Sequence, residues 1–240
     1  MKSSYEDALA YYGIGGAHPG GLNLTKKVLK KMLLSERTRV LDAGCGTGQT
    51  ASYIVKEYSS KVTAIDVHPI MLQKAHHRFT LDRLPVKLHR ASVELLPFKD
   101  ESFDLVLSES VTAFTDKNKT LKEFLRVLKP AGSLLAIEMT AEKPLTEDEK
   151  RRILEVYGIT RILTEKDWLK SIKDAGFANC RILSSQSVSD NLKSLTAETV
   201  PELNPSQHIP AVLDQILTEH YKLTTDLAKK LGYRVYEAKR

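Results

Sequence analysis

Cysteine is almost missing from this chain of 240 residues, and its two copies, Cys45 and Cys180, provide neither a disulfide framework nor a paired metal-ligand spacing. No stretch approaches the roughly 20 apolar residues of a membrane-spanning helix. The first residues carry one early lysine followed by Glu6 and Asp7 in place of a signal peptide's apolar run. These absences predict a cytoplasmic protein with no metal site and no redox role. A phosphate-gripping loop would need Gly-Lys-Ser/Thr, and no lysine follows the glycines of Gly44 to Gly48.

What is present suffices for one globular domain with additions: 42% of residues are hydrophobic, enough to bury a sizeable core. The net charge of +6 raises the question of a nucleic-acid partner. Its densest basic cluster, Lys26, Lys27, Lys30 and Lys31, falls along the outside of one helix, with Val28, Leu29, Met32 and Leu33 turned elsewhere. No aromatic residues interleave with it and no nucleic-acid module is evident, so a solvated face is expected.

The chemistry concentrates in Val40-Leu41-Asp42-Ala43-Gly44-Cys45-Gly46-Thr47-Gly48, an apolar strand running into three alternating glycines. Glycine accepts positive φ and has no Cβ, so such a turn lets a ligand approach the backbone closely. Asp66 ends the next strand, twenty residues after Gly46. That is the distance at which an acid accepts from ribose hydroxyls in a doubly wound sheet. A dinucleotide fingerprint starting at Gly44 would require a small residue at position 49, where this chain has Gln49. The pattern predicts a nucleoside pocket of another kind.

Strands are expected near 38–43, 61–66, 85–90, 103–108 and 132–139, with helices near 47–58, 69–82 and 117–128. Such alternation implies a parallel sheet. Thr164-Glu165-Lys166-Asp167 has capping-box character and leads a helix whose Trp168, Leu169, Ile172 and Ala175 share a face before Gly176 ends it. A sixth strand is expected near 178–185.

Val40 to Gly48 resembles motif I of the class I S-adenosylmethionine-dependent methyltransferases, and Asp66 matches their ribose-binding acid. In order along the chain, Ala91 to Phe98 resembles the family's Gly-Asp-Ala-x-x-Leu-Pro-Phe segment and Phe103 to Leu107 its fourth strand. Leu125 to Leu134 resembles the helix, turn and start of its fifth strand. The match spans roughly residues 36 to 140. Ser92 departs from the family's usual aspartate, though a hydroxyl can still accept from the adenine amino group. Ala131 replaces the first glycine of the usual Gly-Gly turn.

The resemblance implies an α/β, Rossmann-like, doubly wound seven-stranded sheet of order 3-2-1-4-5-7-6, with strand 7 antiparallel and helical lid additions. Tyr233 to Ala238 matches that last strand, which makes 186–232 an insertion. It comprises a proline-punctuated stretch to Pro210 and a helix with Val212, Leu213, Ile216, Leu217, Tyr221, Leu223 and Leu227 facing inward. A further addition is expected at 144–163, and residues 1–35 form an N-terminal lid segment ahead of the methyltransferase domain at 36–240.

By the same resemblance the cofactor is S-adenosylmethionine, leaving S-adenosylhomocysteine as product. Gly44, Cys45, Gly46 and Gly48 form the turn beneath it, and Asp42 lies near its amino-acid end. Asp66 holds the ribose, Val67 and Met71 flank the adenine, Ser92 and the Val93 amide read its edge, and Ser108 lies near the methionine moiety. The glycine-rich segment from Tyr11 to Gly21 is expected to be a folding lid rather than a helix, with Tyr12 or His18 touching the sulfonium region or taking a proton, and Glu109 facing the acceptor. The acceptor is expected to be a small molecule. Base-directed relatives carry Asp/Asn-Pro-Pro-Tyr/Phe after strand four or a Pro-Cys nucleophile, and this chain has Ser108-Glu109-Ser110-Val111. Two alternatives stay open: a non-catalytic protein that binds the cofactor or its product, and a nicotinamide-dependent oxidoreductase with atypical glycine spacing.

Overall fold

The chain contributes seven strands, β1 (Arg39–Ala43), β2 (Lys61–Asp66), β3 (Lys87–Arg90), β4 (Phe103–Glu109), β5 (Leu128–Ala141), β6 (Asn179–Ser187) and β7 (Leu231–Lys239). In the computed structural model, which describes residues 4–159, 161–193 and 201–240, they form one sheet ordered β3-β2-β1-β4-β5-β7-β6. Strands β1 to β5 run parallel. β7 lies antiparallel between β5 and β6. This is the Rossmann-like topology expected from the sequence.

The central strands are apolar on both faces because helices cover both. Val40 and Leu105 pack with Ile54, Phe79 and Tyr233 on one side. Their neighbours Leu41 and Val106 pack with Phe124, Trp168 and Tyr236 on the other. The covering helices on the first side are α2 (Gly21–Leu29), α3 (Gln49–Tyr58) and α4 (Pro69–Leu81); α5 (Lys117–Val127) and α7 (Glu165–Asp174) cover the second. Local chemistry sets their starts: Thr164 and Asp167 form the expected capping box of α7, and Asp116 accepts from the Asn118 and Lys119 amides ahead of α5.

A third, smaller apolar cluster joins α1 (Tyr5–Tyr12), α6 (Glu147–Tyr157) and α9 (Val212–Asp226) through Tyr5, Ile153, Tyr157, Leu223 and Leu227. A short helix, α8 (Val188–Lys193), follows β6. α1 falls within residues 1–35, α6 within 144–163, and α8 and α9 within 186–232; of these stretches, residues 1–3, 160 and 194–200 lie outside the described residues. Only part of α9's apolar series turns inward: Leu213, Leu223 and Leu227 are buried, whereas Val212 and Tyr221 are exposed. A helix packed on one side cannot bury a stripe that wide.

Three further details differ from the sequence reading. The segment containing Tyr11 and Tyr12 is helical, because Ser4 and Asp7 close a capping box and start α1 ahead of the glycines. Leu33 is fully exposed, since α2 stops at Leu29 and the inner face ends with it. β5 begins at Leu128, where it pairs with Phe103 before a register shift that places Ala131 at φ +63°.

Candidate functional site

The carboxyl ends of β1, β2 and β4 open into a cavity of about 690 Å³. At its floor the backbone leaves β1 through the glycine turn. The Gly44 and Cys45 amides both donate to the Ile65 carbonyl, at 2.9 and 2.8 Å, tying the turn to β2. The Gly46 amide donates to Asp66 Oδ2 at 2.9 Å and the His68 amide to Oδ1 at 2.8 Å. Burial raises the Asp66 carboxyl above the usual range, and these N–H donors oppose the rise.

The three glycines do different work. Each has positive φ. A Cβ on Gly44 would strike Val111 at 2.3 Å and one on Gly48 would strike the Phe79 ring at 2.6 Å, so both serve packing. A Cβ on Gly46 would enter the cavity, its single neighbour within 4 Å being Met71 Sδ at 3.9 Å among the described residues. Gly44, Cys45, Gly46, Asp66, Val67, Met71, Ser92 and Val93 all line the cavity. Ser92 Oγ also accepts from the Glu94 amide at 3.2 Å. Cys45 is buried, which pushes its thiol up in pKa and removes it as a nucleophile.

Three residues expected at the cofactor lie behind the wall. Gly48 faces Phe79. Ser108 is fully buried, its hydroxyl 3.1 Å from that of Thr112. Asp42 is buried beneath the turn with Oδ2 lacking a hydrogen-bond partner among the described residues. Its carboxyl is raised well above the usual range by burial first, then by the charges of Glu109 and Asp66.

On the far side of the turn Glu109, half-buried on the cavity wall, is held by three neighbours. Thr50 Oγ1 donates to its Oε2 at 2.7 Å, Thr25 Oγ1 donates to Oε1, and His18 Nε2 lies 3.2 Å from Oε1. His18 Nδ1 lies 3.2 Å from the Pro19 carbonyl. Both ring nitrogens therefore have polar neighbours, and His18 lines the cavity beside Glu109. Tyr12 is not on the wall at all: its hydroxyl donates to Asp214 on α9. Tyr5, nearly two turns earlier on α1, occupies the inner position.

The remaining wall is an apolar chamber that the sequence reading missed. Tyr5, Phe114, Met139, Tyr157, Trp168 and Leu217 line it, drawn from α1, α6, α7, α9, β5 and the short 3-10 turn Thr112–Phe114 after β4. Tyr157 Oη lies 2.9 Å from His220 Nδ1, and burial brings His220 down to a pKa of about 4. Glu138 of β5 also lines it, fully buried. A lone acid inside the apolar run Leu134 to Met139 was the available signal.

The N-terminal segment is tied to residues 201–206. Gly15 and Ser206 amides donate to the carbonyls of Glu202 and Tyr11, at 2.9 and 2.7 Å. The Glu202 carboxylate reaches Gln49 at 2.8 Å and Arg78 at 2.7 Å, fixing residues 201–206 to α3 and α4.

A family model described as a methyltransferase domain matches residues 41–136. The chain is 38% identical to an uncharacterized methyltransferase, YodH, of Bacillus subtilis over 98% of its own length and 99% of that protein's. The chain belongs to the class I S-adenosylmethionine-dependent methyltransferases. Among solved structures, Haemonchus contortus phosphoethanolamine N-methyltransferase 2 in complex with S-adenosyl-L-methionine has the same fold, with TM-score 0.75, 17% identity, and coverage of 99% of this chain and 57% of that one. The [4+2]-cyclase SpnF shares it as well, with TM-score 0.69 and 23% identity over 96% of this chain and 87% of that chain. The floor of this methyltransferase's cavity fits the family cofactor: the Gly46 cradle would be filled by a Cβ, and Asp66 presents its carboxylate beside it. Among the described residues no helix is long and apolar enough to cross a membrane.

Proposed function

We propose that this methyltransferase acts on a small-molecule acceptor seated in the apolar chamber. The observation that carries the reading is the single cavity whose wall includes both the Gly46–Asp66 floor and the aromatic residues under the lid. Its volume of about 690 Å³ falls in the range of small-molecule sites. When bound, S-adenosylmethionine supplies an electrophilic methyl carbon on a sulfonium leaving group.

The chain's own residues hold and align. Each Asp66 oxygen already takes one backbone N–H and keeps a lone pair for a ribose hydroxyl. Gly46 admits the ligand against the backbone, Met71 and Val67 flank the base, and the Val93 amide and Ser92 Oγ, which has a second lone pair, read its edge. The glycine turn and Glu109 with its three partners form a rigid floor. The N-terminal segment, tied to residues 201–206, acts as a lid that keeps water out of the chamber, where alignment for in-line displacement can contribute on the order of 7–11 kcal/mol. A general base would supply typically ~10²–10⁴-fold. On these magnitudes positioning carries most of the rate.

Calorimetric titration with S-adenosylmethionine, S-adenosylhomocysteine and NAD, beside an Asp66→Ala variant, tests the floor. Binding of both sulfur nucleosides, weakened at least tenfold by the substitution, is expected. Binding of NAD alone would overturn the assignment. Transfer of labelled methyl to small organic acceptors, and none to oligonucleotides, tests the acceptor class.

A further inference from the structure

Glu138 is an ionisable group inside the chamber whose carboxyl is met by Thr112 and Ala113 yet keeps one oxygen unsatisfied. Its Oε1 accepts from the Thr112 amide at 3.1 Å. Its Oε2 has no hydrogen-bond partner among the described residues. The side chain is fully buried, and Lys117 on α5 acts on it through charge alone. Burying a carboxyl oxygen without a partner costs free energy that an apolar residue of the same size would avoid. Such an atom on the wall of a ligand cavity is accounted for when a ligand completes it.

The surroundings indicate which ligand. Tyr5 meets Tyr157 edge-on at 5.0 Å and stacks with Phe114 at 6.4 Å. Trp168 Nε1 donates to the Met139 carbonyl at 3.0 Å, and the Tyr157 hydroxyl is occupied by His220. With those two polar atoms used, Trp168 and Tyr157 offer the chamber aromatic surface, as does Phe114. The acids Glu6, Asp7, Asp66, Glu109 and Glu138 line the cavity; Arg161 is the Lys or Arg side chain on that wall among the described residues, and it pairs with Asp167 at 3.0 Å. Aromatic faces beside a carboxylate attract a compact cation and repel an anion.

We propose that the methyl acceptor is an amine and that Glu138 Oε2 docks it in its ammonium form against the aromatic wall. The proposal rests on the methyl-transfer reading above. On docking, one N–H proton passes from the ammonium to Oε2, giving a neutral amine with a free lone pair and a neutral carboxylic acid.

The test is calorimetric titration of the S-adenosylhomocysteine-loaded protein with three secondary amines, each paired with its neutral ether isostere. The pairs are N-methylbenzylamine with benzyl methyl ether, N-methylphenethylamine with 2-phenylethyl methyl ether, and N-methylcyclohexylamine with cyclohexyl methyl ether. At least one amine is expected to bind tenfold tighter than its ether. Glu138→Gln should erase that margin while leaving S-adenosylhomocysteine affinity within twofold. Should that variant fail to fold, Glu138→Asp, which draws the carboxyl back by one methylene, should shrink the margin below threefold. No amine preferred over its ether, or a full margin in a folded variant, would overturn the inference and leave the cofactor reading standing. Failure of S-adenosylhomocysteine to bind would remove both.

Discussion

Thr50 Oγ1 donates a 2.7 Å hydrogen bond to Glu109 Oε2, joining the first turn of α3 to the end of β4. Glu109 is thereby oriented by hydroxyls from two helices, since Thr25 of α2 supplies the other. Both helices pack on the same face of the sheet, so the carboxylate is locked by tertiary structure on either side of the glycine turn.

Thr50→Val keeps the shape and removes the donor, leaving a largely enclosed carboxylate oxygen short of a partner. A loss of about 1–3 kcal/mol in chemical denaturation is expected. A change under about 0.5 kcal/mol would mean that water replaces the hydroxyl freely.

Gly46→Ala and Gly48→Ala should separate binding from folding. At Gly46 the methyl group occupies the cavity and the positive φ adds about 1–2 kcal/mol of strain, so cofactor affinity falls at least tenfold with a modest loss of stability. At Gly48 the added overlap with Phe79 raises the destabilisation to about 2–5 kcal/mol. Thermal melts and titrations on both variants check the split; equal effects on affinity at equal stability would contradict it.

Gly13 closes α1 at φ +61°, and a Cβ there would lie 2.1 Å from the Asn204 carbonyl oxygen. Gly13→Ala should loosen the tie between the N-terminal segment and residues 201–206 while leaving the sheet intact. Amide exchange is expected to accelerate across α1 and residues 201–206, with exchange in β1, β4 and β5 unchanged.

Burial raises Glu138 to a pKa of about 7, far above an unfolded glutamate. The folded protein therefore binds a proton that the unfolded chain has lost between roughly pH 4.5 and 7. Across that window stability falls as pH rises, by about 3 kcal/mol for this one group, and it is level above. Glu138→Gln removes the dependence. The ligand-free variant should gain on the natural protein from pH 5 to pH 7 and hold that gain to pH 8, and parallel melting curves from pH 5 to pH 7 would refute this.

Ala131 holds φ +63° at the irregularity near the start of β5 and is exposed there. Ala131→Gly relieves the left-handed strain at some cost in unfolded-chain entropy, for a net gain of about 0.5–1 kcal/mol. Chemical denaturation will show whether the midpoint rises.

The chain's sequence by itself determined the sheet and its cofactor floor, because the signals are local: apolar runs, glycines where φ turns positive, capping boxes, and an acid at a set distance from Gly46. Order along the chain then constrained the topology, since parallel strands need helical crossovers. The tertiary structure alone decided which polar groups face the cavity. Asp42 and Ser108 lie on strand ends like Asp66, yet the turn and Thr112 cover them, and strand period cannot foresee what packs above. Tyr5 and Tyr12 lie two turns apart on one face of α1 and both meet α9, Tyr5 beside His220 and Tyr12 at Asp214, so position along the helix decides which of them reaches the chamber. Glu138 reads as an oddity in an apolar strand until helices far along the chain enclose it. A chamber assembled from elements distant in sequence leaves no periodic trace in any one of them.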